Sequence, residues 1–403
     1  MIKMIGGERS AVSRCGKNFK PGREKRGMPH GGVWILCVGF FLLWGNPLHA
    51  VEKPQAAIDK LRRQCLSILD RAMESGNAFI RSAAARAAGE SRDPALIPLL
   101  RKAARDDYHT TRLFALQGIQ NISVPATVEM AKRLIQDPDT WVQSTALEIL
   151  GKLGGREAAE LIRPHLKSPK PSVRLAAVAG LFLQGEKEHL PLILESLEKR
   201  NTVERYQAIG YMGKIHSGES LSRLVQLLND EEDEAVFYSL QAIGQRAEPN
   251  LFSRLRKLVH RDNPSVRYQA VLVMGYLPRS LSLKAVEELC RDADAIVRIS
   301  AAVSLNRMGS DACRGVFAES LKDPDYGIRS TAARVLGEVP LENRAELLAG
   351  ALKDGNSRVR TAAVRAVGMM GGPEAFSLLV RMLDDPLEVI RTYAAGNIIP
   401  LTR

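Results

Sequence analysis

Aromatic side chains are scarce in this chain: Phe, Trp and Tyr make up 5% of 403 residues. That excludes a core built on large rings and points to closely stacked small and aliphatic residues. Histidine is also sparse. His30, His49, His109, His165, His189, His216 and His260 are scattered, none pairs with another at metal-ligand spacing, and there is no His-Glu dipeptide. A zinc or iron site read from sequence spacing is therefore not expected. Phosphate-binding glycine loops, serine elbows and Cys-x-x-Cys motifs are missing as well. These absences argue against catalysis, and no cofactor and no metal are expected. Charge of one sign is less dominant than the formal +12 suggests. Residues 1–50 hold eight basic and two acidic residues, so the balance beyond them falls to +6. Long apolar runs are limited to Val33–Trp44, twelve residues that are apolar or glycine, too short for a comfortable membrane span.

What is present is a repeat. The stretch Asp323-Pro-Asp-Tyr-Gly-Ile-Arg-Ser-Thr-Ala-Ala-Arg-Val-Leu-Gly337 reads as a turn and then a helix with an arginine in its first turn. The arginine position returns every 31 residues at Arg81, Arg112, Gln143, Arg174, Arg205, Val236, Arg267, Arg298, Arg329, Arg360 and Arg391. Three residues later stands Ala in every unit but the sixth, which has Ser239. Four and seven residues later the side chain is always apolar. These offsets mark one helical face, and the small residue implies close helix approach. Six residues before the arginine stands Asp106, Asp137, Asp230, Asp292, Asp323, Asp354 or Asp385, with Ser75, Ser168, Lys199 and Arg261 in the other units. Each arginine is expected to reach the aspartate of its own or an adjacent unit and hold the units in register. A second apolar stripe, twelve and eight residues before the arginine, marks another helix. Each unit is then helix, turn, helix, and stacking supplies the core that one unit lacks.

Motifs such as Val266-Arg-Tyr-Gln-Ala-Val-Leu-Val-Met-Gly275 and Val359-Arg-Thr-Ala-Ala-Val-Arg-Ala-Val-Gly368 resemble HEAT-like repeats, in the short form typified by phycobilisome lyase subunits. The expected fold is all-α: a right-handed α-α superhelix, a solenoid of about eleven 31-residue repeats over residues 51–403. Its first helix, about 55–74, is expected to cap an open end of the core. Nothing near Ile398-Ile399-Pro400 reads as a polar cap, so that end is expected to be a contact surface or to pair with another copy. The first helices of units eight and nine place Cys290 and Cys313 at opposite ends, a separation that argues against a disulfide. Cys290 is expected to fill a core position as a small hydrophobe.

Residues 1–50 read as a leader: a basic segment, a short apolar run, a break at Gly45-Asn46-Pro47 and a small residue at Ala50. Cleavage between Ala50 and Val51 would export the repeats to the periplasm or another extracytoplasmic space. An uncleaved leader would anchor them to a membrane, and Met28 is an alternative start. Two surfaces stand out. Tyr206, Gln207, Phe237, Tyr238, Gln241, Tyr268 and Gln269 follow the arginine positions of units five to seven and are expected on the concave face, where rigid aromatics beside amides suit a protein partner. Arg101, Lys102, Lys132, Arg133 and Arg163 form a basic stripe on the first helices, suited to an anionic surface. The acidic run Asp230–Glu234 reads as a solvated turn without the spacing of a calcium loop. The leading function is a non-catalytic, exported protein-binding scaffold. The family resemblance implies a lyase-like subunit acting on a tetrapyrrole as the alternative. Nucleic-acid binding is a further alternative for a cytoplasmic chain, weakened because nine of the basic residues have a structural explanation.

Overall fold

The computed structural model of the chain describes residues 54–403. The leader, its membrane anchoring and the cut between Ala50 and Val51 lie outside the described residues. Eleven helix pairs follow in order: α1 (Pro54–Met73) and α2 (Ala78–Ser91), α3 (Ile97–Ala103) and α4 (His109–Ile119), α5 (Val124–Leu134) and α6 (Thr140–Leu153), α7 (Arg156–Ile162) and α8 (Pro171–Leu183), α9 (Leu190–Leu197) and α10 (Val203–Lys214), α11 (Gly218–Leu227) and α12 (Asp233–Ile243). The rest are α13 (Phe252–Leu258) and α14 (Pro264–Met274), α15 (Arg279–Glu288) and α16 (Ala295–Arg307), α17 (Gly315–Ser320) and α18 (Tyr326–Val335), α19 (Arg344–Ala351) and α20 (Ser357–Met370), α21 (Gly372–Arg381) and α22 (Glu388–Ile398). A short 3-10 turn, Ile399–Thr402, ends the chain.

The second helices start where they do because of their caps. Asn77, Asp139, Asn263, Asp294, Asp325 and Asn356, each four residues before an arginine position, accept a hydrogen bond from the backbone two residues on. Each cap satisfies a donor that the helix leaves unpaired. The apolar offsets fall inside, except that Leu166, Cys290 and Leu321, eight residues before the arginine, are half-buried. Every residue three after the arginine position, from Ala84 to Ala394, is fully buried. Those twelve before it, from Leu69 to Leu379, are buried in every unit, including Phe317. Small residues set the spacing of successive second helices. A Cβ on Gly151 would fall within the backbone of Gly180, and one on Gly89 within that of Gly118.

The arginine–aspartate ladder runs forward by one unit. Arg81, Arg112, Arg267, Arg329 and Arg360 each donate Nε and Nη2 to the carboxylate 25 residues on: Asp106, Asp137, Asp292, Asp354 and Asp385, with Nε–O distances of 2.7–3.0 Å. Nη1 of the same side chain binds backbone carbonyls of its own turn, as Arg112 does to Asp106 and Asp107. The aspartate also accepts the backbone N–H two residues on, so it shapes its turn while bridging units. Arg205 reaches Asp230 at 2.6 Å through Nη2 and turns its Nε to the Leu197 carbonyl. The ladder breaks at known places. Arg174 has Lys199, not an aspartate, 25 residues on, and its side chain holds the Ser168 and Pro169 carbonyls. Arg298 holds the carbonyls of Asp292 and Ala293, while Asp323 serves its own turn.

Three expectations need correction. First, the repeats have no open end: α22 packs against α2 and α1, so residues 54–403 close into a ring with second helices inside and first helices outside. The seam is polar as well as packed. Arg62 donates to the Ile399 carbonyl at 2.8 Å, and Asp93 takes both Arg62 and Arg403. A Cβ on Gly396 would lie 2.8 Å from that of Ala87. Thus α1 caps no free end, and the segment near Ile399 meets α1. Second, Cys290 and Cys313 form a disulfide, with Cα atoms 5.7 Å apart. The α17 helix is only six residues long, and Cys313 precedes it in a left-handed turn (φ 64°), which sets it beside the end of the preceding outer helix. Cys290 is accordingly half-buried rather than a core hydrophobe. Third, the acidic run is not a free solvated turn. Asp230 and Glu232 both bind Arg205, Glu231 binds Arg200, and Asp233 binds Arg261.

Candidate binding site on the inner face

By helical angle, positions one, two and five after each arginine lie opposite positions three, four and seven and turn towards the inside of the ring; in several units, as at Leu113, Leu175, Ile299 and Tyr393, they are buried there. Four aromatics of α10, α12 and α14 join there. The Tyr206 and Tyr238 rings stack at 5.3 Å, and Phe237 meets Tyr238 and Tyr268 edge-on at 5.3 and 5.9 Å. All four are half-buried, as are Gln207 and Gln269, whereas Gln241 is exposed. Ser172 holds the Gln207 amide at 2.8 Å. Burial, and then the carboxylates of Glu232 and Glu234, raise the Tyr206 phenol; burial also raises Tyr268. Both remain neutral hydroxyls at physiological pH.

Charged side chains span the inner face where an intervening helix has a small residue. Across α8, where Ala179 fills the fifth position, Lys214 reaches Glu148 at 2.6 Å. Across α22, where Gly396 fills it, Arg365 reaches Glu90, its Nε 3.1 Å from the carboxylate. Arg86 binds the same Glu90 at 3.0 Å and lies over Phe114. Arg365 also lies over Tyr393, which is buried. No sequence offset within a unit signals these pairs, because they join units two apart.

The basic stripe lies on the outer helices, and its charge is largely matched. Arg101 pairs with Glu129 at 2.7 Å, Lys102 with Glu74, Lys132 with Glu157 at 3.1 Å and Arg163 with Glu186 at 2.6 Å. Arg133 donates to the Ala104 carbonyl at 3.4 Å. Exposed pairs of this kind add little stability. They do reduce the net field available to an anionic surface. Arg101 and Lys102 border a shallow outer pocket of about 530 Å³ with Met73, Pro98, Arg105 and Asp106.

Elsewhere Glu186, Glu188 and His189 bring ligand-type atoms within 4.8 Å of one another, a grouping that the histidine spacing did not reveal. Glu186 is engaged by Arg163, whose hydrogen bond lowers its pKa. The free cysteine Cys65 is buried, and burial pushes its thiol up to about 12, which removes the thiolate a nucleophile needs. Among the described residues no helix is long and apolar enough to cross a membrane.

Solved structures of low identity resemble the chain. Kap121p bound to Nup53p is 14% identical, with a TM-score of 0.41, over 82% of this chain and 44% of its own. This chain thus spans less than half the length of Kap121p. An engineered protein is 17% identical, with a TM-score of 0.30, over 86% of this chain and 99% of its own. Human deoxyhypusine hydroxylase in complex with glycerol is 20% identical, with a TM-score of 0.28, over 70% of this chain and 98% of its own. The sequence has no match among curated proteins. The family model described as HEAT repeats matches residues 109–181, 160–244, 237–306 and 314–398. With most of its length so matched and its helix pairs stacked at the 31-residue period, the chain belongs to the HEAT-repeat family.

Proposed function

We propose that this protein is a non-catalytic scaffold that binds a protein partner through the inner, concave face of its repeats, outside the cytoplasm. The observation that carries the reading is the continuous aromatic run Tyr206–Tyr238–Phe237–Tyr268, half-buried on three successive inner helices. Ring stacking holds these side chains in place, so a partner loses little of their freedom on binding. Gln207, Gln241 and Gln269 beside them offer amide donors and acceptors for a partner backbone. The Cys290–Cys313 disulfide supports export, since such bonds persist in oxidising compartments.

Photocrosslinking in cells from a reactive residue at Gln241 tests the binding face. One discrete partner is expected, and replacing Tyr206, Phe237 and Tyr268 with alanine should abolish the crosslink while leaving helicity intact. A crosslink indifferent to those substitutions would overturn the assignment. Fractionation with intact-mass measurement tests export: a chain beginning at Val51 outside the cytoplasm is expected, and a cytosolic chain retaining residues 1–50 would overturn it.

A further inference from the structure

We infer that the inner face recognises an acidic peptide segment, with Arg334 binding a partner carboxylate beside the aromatic run. The inference rests on the reading of the inner face as the binding surface and adds the chemistry of what it binds. Arg334 occupies the fifth position of α18, the one from which Arg86, Glu148 and Arg365 meet other units. It is half-buried, and among the described residues it forms no ion pair within 4.0 Å and no side-chain hydrogen bond. No carboxylate closes an ion pair with it, and a like charge stands nearby. Arg365 on the next inner helix acts on it with like sign, and Arg86 and Arg365 already share the one carboxylate of Glu90. Glu338, one turn further on, acts on Arg334 without closing a pair. Burial, foremost, lowers the pKa of Arg334; the charge of Glu338 opposes this and that of Arg365 adds to it.

Tyr268 links this arginine to the aromatic run: its ring meets Phe237 edge-on, and the Arg334 charge acts on its hydroxyl. An extended segment crossing that junction would set an apolar side chain on the rings and a carboxylate on the guanidinium. Two parallel N–H donors of an arginine match a carboxylate well. The other inner arginines are less available: Arg246 donates to the Ala242 carbonyl, and Arg307 lies 4.0 Å from the Tyr276 ring centre.

Fluorescence anisotropy of a labelled hexaglutamate peptide with the full chain tests the inference. Arg334→Gln should weaken binding about tenfold, the order expected for one charge-assisted contact. It should leave the melting temperature unchanged, because no internal bond is lost. Arg101→Gln, on the outer face, should bind as the parent does. No binding, or equal weakening by both substitutions, would overturn the inference. Displacement of the peptide by equimolar inorganic phosphate would also overturn it, since the site would then take a free anion. Failure here with an aromatic-dependent crosslink intact removes this inference alone. Arginine-dependent peptide binding with a crosslink indifferent to the aromatics removes the aromatic assignment instead.

Discussion

At the scale of single residues, the ladder aspartates have two tasks that the structure separates. The Asp292 carboxylate accepts Nε and Nη2 of Arg267 and also the backbone of Asp294, whereas the Asp323 carboxylate accepts the Asp325 backbone and no arginine among its bonds. Asp292→Ala should therefore cost about 1–3 kcal/mol, leaving a partly buried guanidinium without its acceptor. Asp323→Ala should cost less, on the order of 1 kcal/mol for a lost turn bond. Urea unfolding of both variants checks this, and equal losses would remove the fork as the source. Acid should weaken the ladder as a whole. Burial, the largest single influence, would raise Asp106, Asp230 and Asp292, yet hydrogen bonds from Arg81, Arg205 and Arg267, backbone hydrogen bonds and the arginine charges together lower all three. For Asp354 the Arg329 hydrogen bond is the largest influence, and it too is lowered. Groups depressed in the folded state contribute stability above their unfolded pKa, about 3.9 for aspartate, and lose it as pH falls through the folded value. Melting temperature should fall slightly below about pH 6.5, where an unfolded histidine takes up the proton that buried His165 resists, and steeply below about pH 4 as the ladder aspartates protonate. A level profile down to pH 2 would contradict the ladder's role.

At the scale of helices, close approach and not glycine's flexibility explains the conserved spacing of small residues within the chain. Gly151 of α6 sits against the backbone of Gly180 in α8, where neither partner can yield. Gly350, in α19 on the outside, has open space around its missing Cβ. Gly151→Ala should destabilise by about 1–3 kcal/mol through forced separation of two inner helices. Gly350→Ala should stabilise by about 0.5–1 kcal/mol through helix propensity. Opposite signs in chemical denaturation are the expected result, and the same sign at both sites would refute the packing account. The 31-residue period, the two apolar stripes and the arginine positions are all legible in the sequence. The inner ion pairs are not, because Glu148–Lys214 and Glu90–Arg365 depend on a small residue in a helix between them.

At the scale of the whole ring, closure removes the weak ends that an open array of repeats would have. Asp93 stands at the seam, almost wholly buried, and takes both Arg62 and Arg403. Burial would raise its pKa, but hydrogen bonds from Arg403 and Arg62 and the backbone of Ala95 together lower it. Asp93→Ala should loosen the seam at a cost of about 1–3 kcal/mol, since it leaves two partly exposed arginines and the Ala95 N–H without their acceptor. Hydrogen exchange should then quicken in α1, α2 and α22 while α10 to α14 keep their protection. Uniform quickening, or none, would show that the seam does not close the ring independently of the rest.

Local chemistry determined much of this protein from the sequence alone. Apolar periodicity, turn aspartates and recurring alanines dictate paired helices that must stack, because one pair cannot cover its own apolar face. Tertiary structure decided what depends on small angles summed over many units. The rotation between neighbours is set by contacts such as Gly89 with Gly118, and only the accumulated turn brings Gly396 against Ala87 and closes the ring. The same summation matched the outer lysines and arginines with carboxylates of neighbouring units and set Cys313 against Cys290. It also left Arg334 facing inward with a like charge beside it, a consequence of distance in space that no spacing along the chain records.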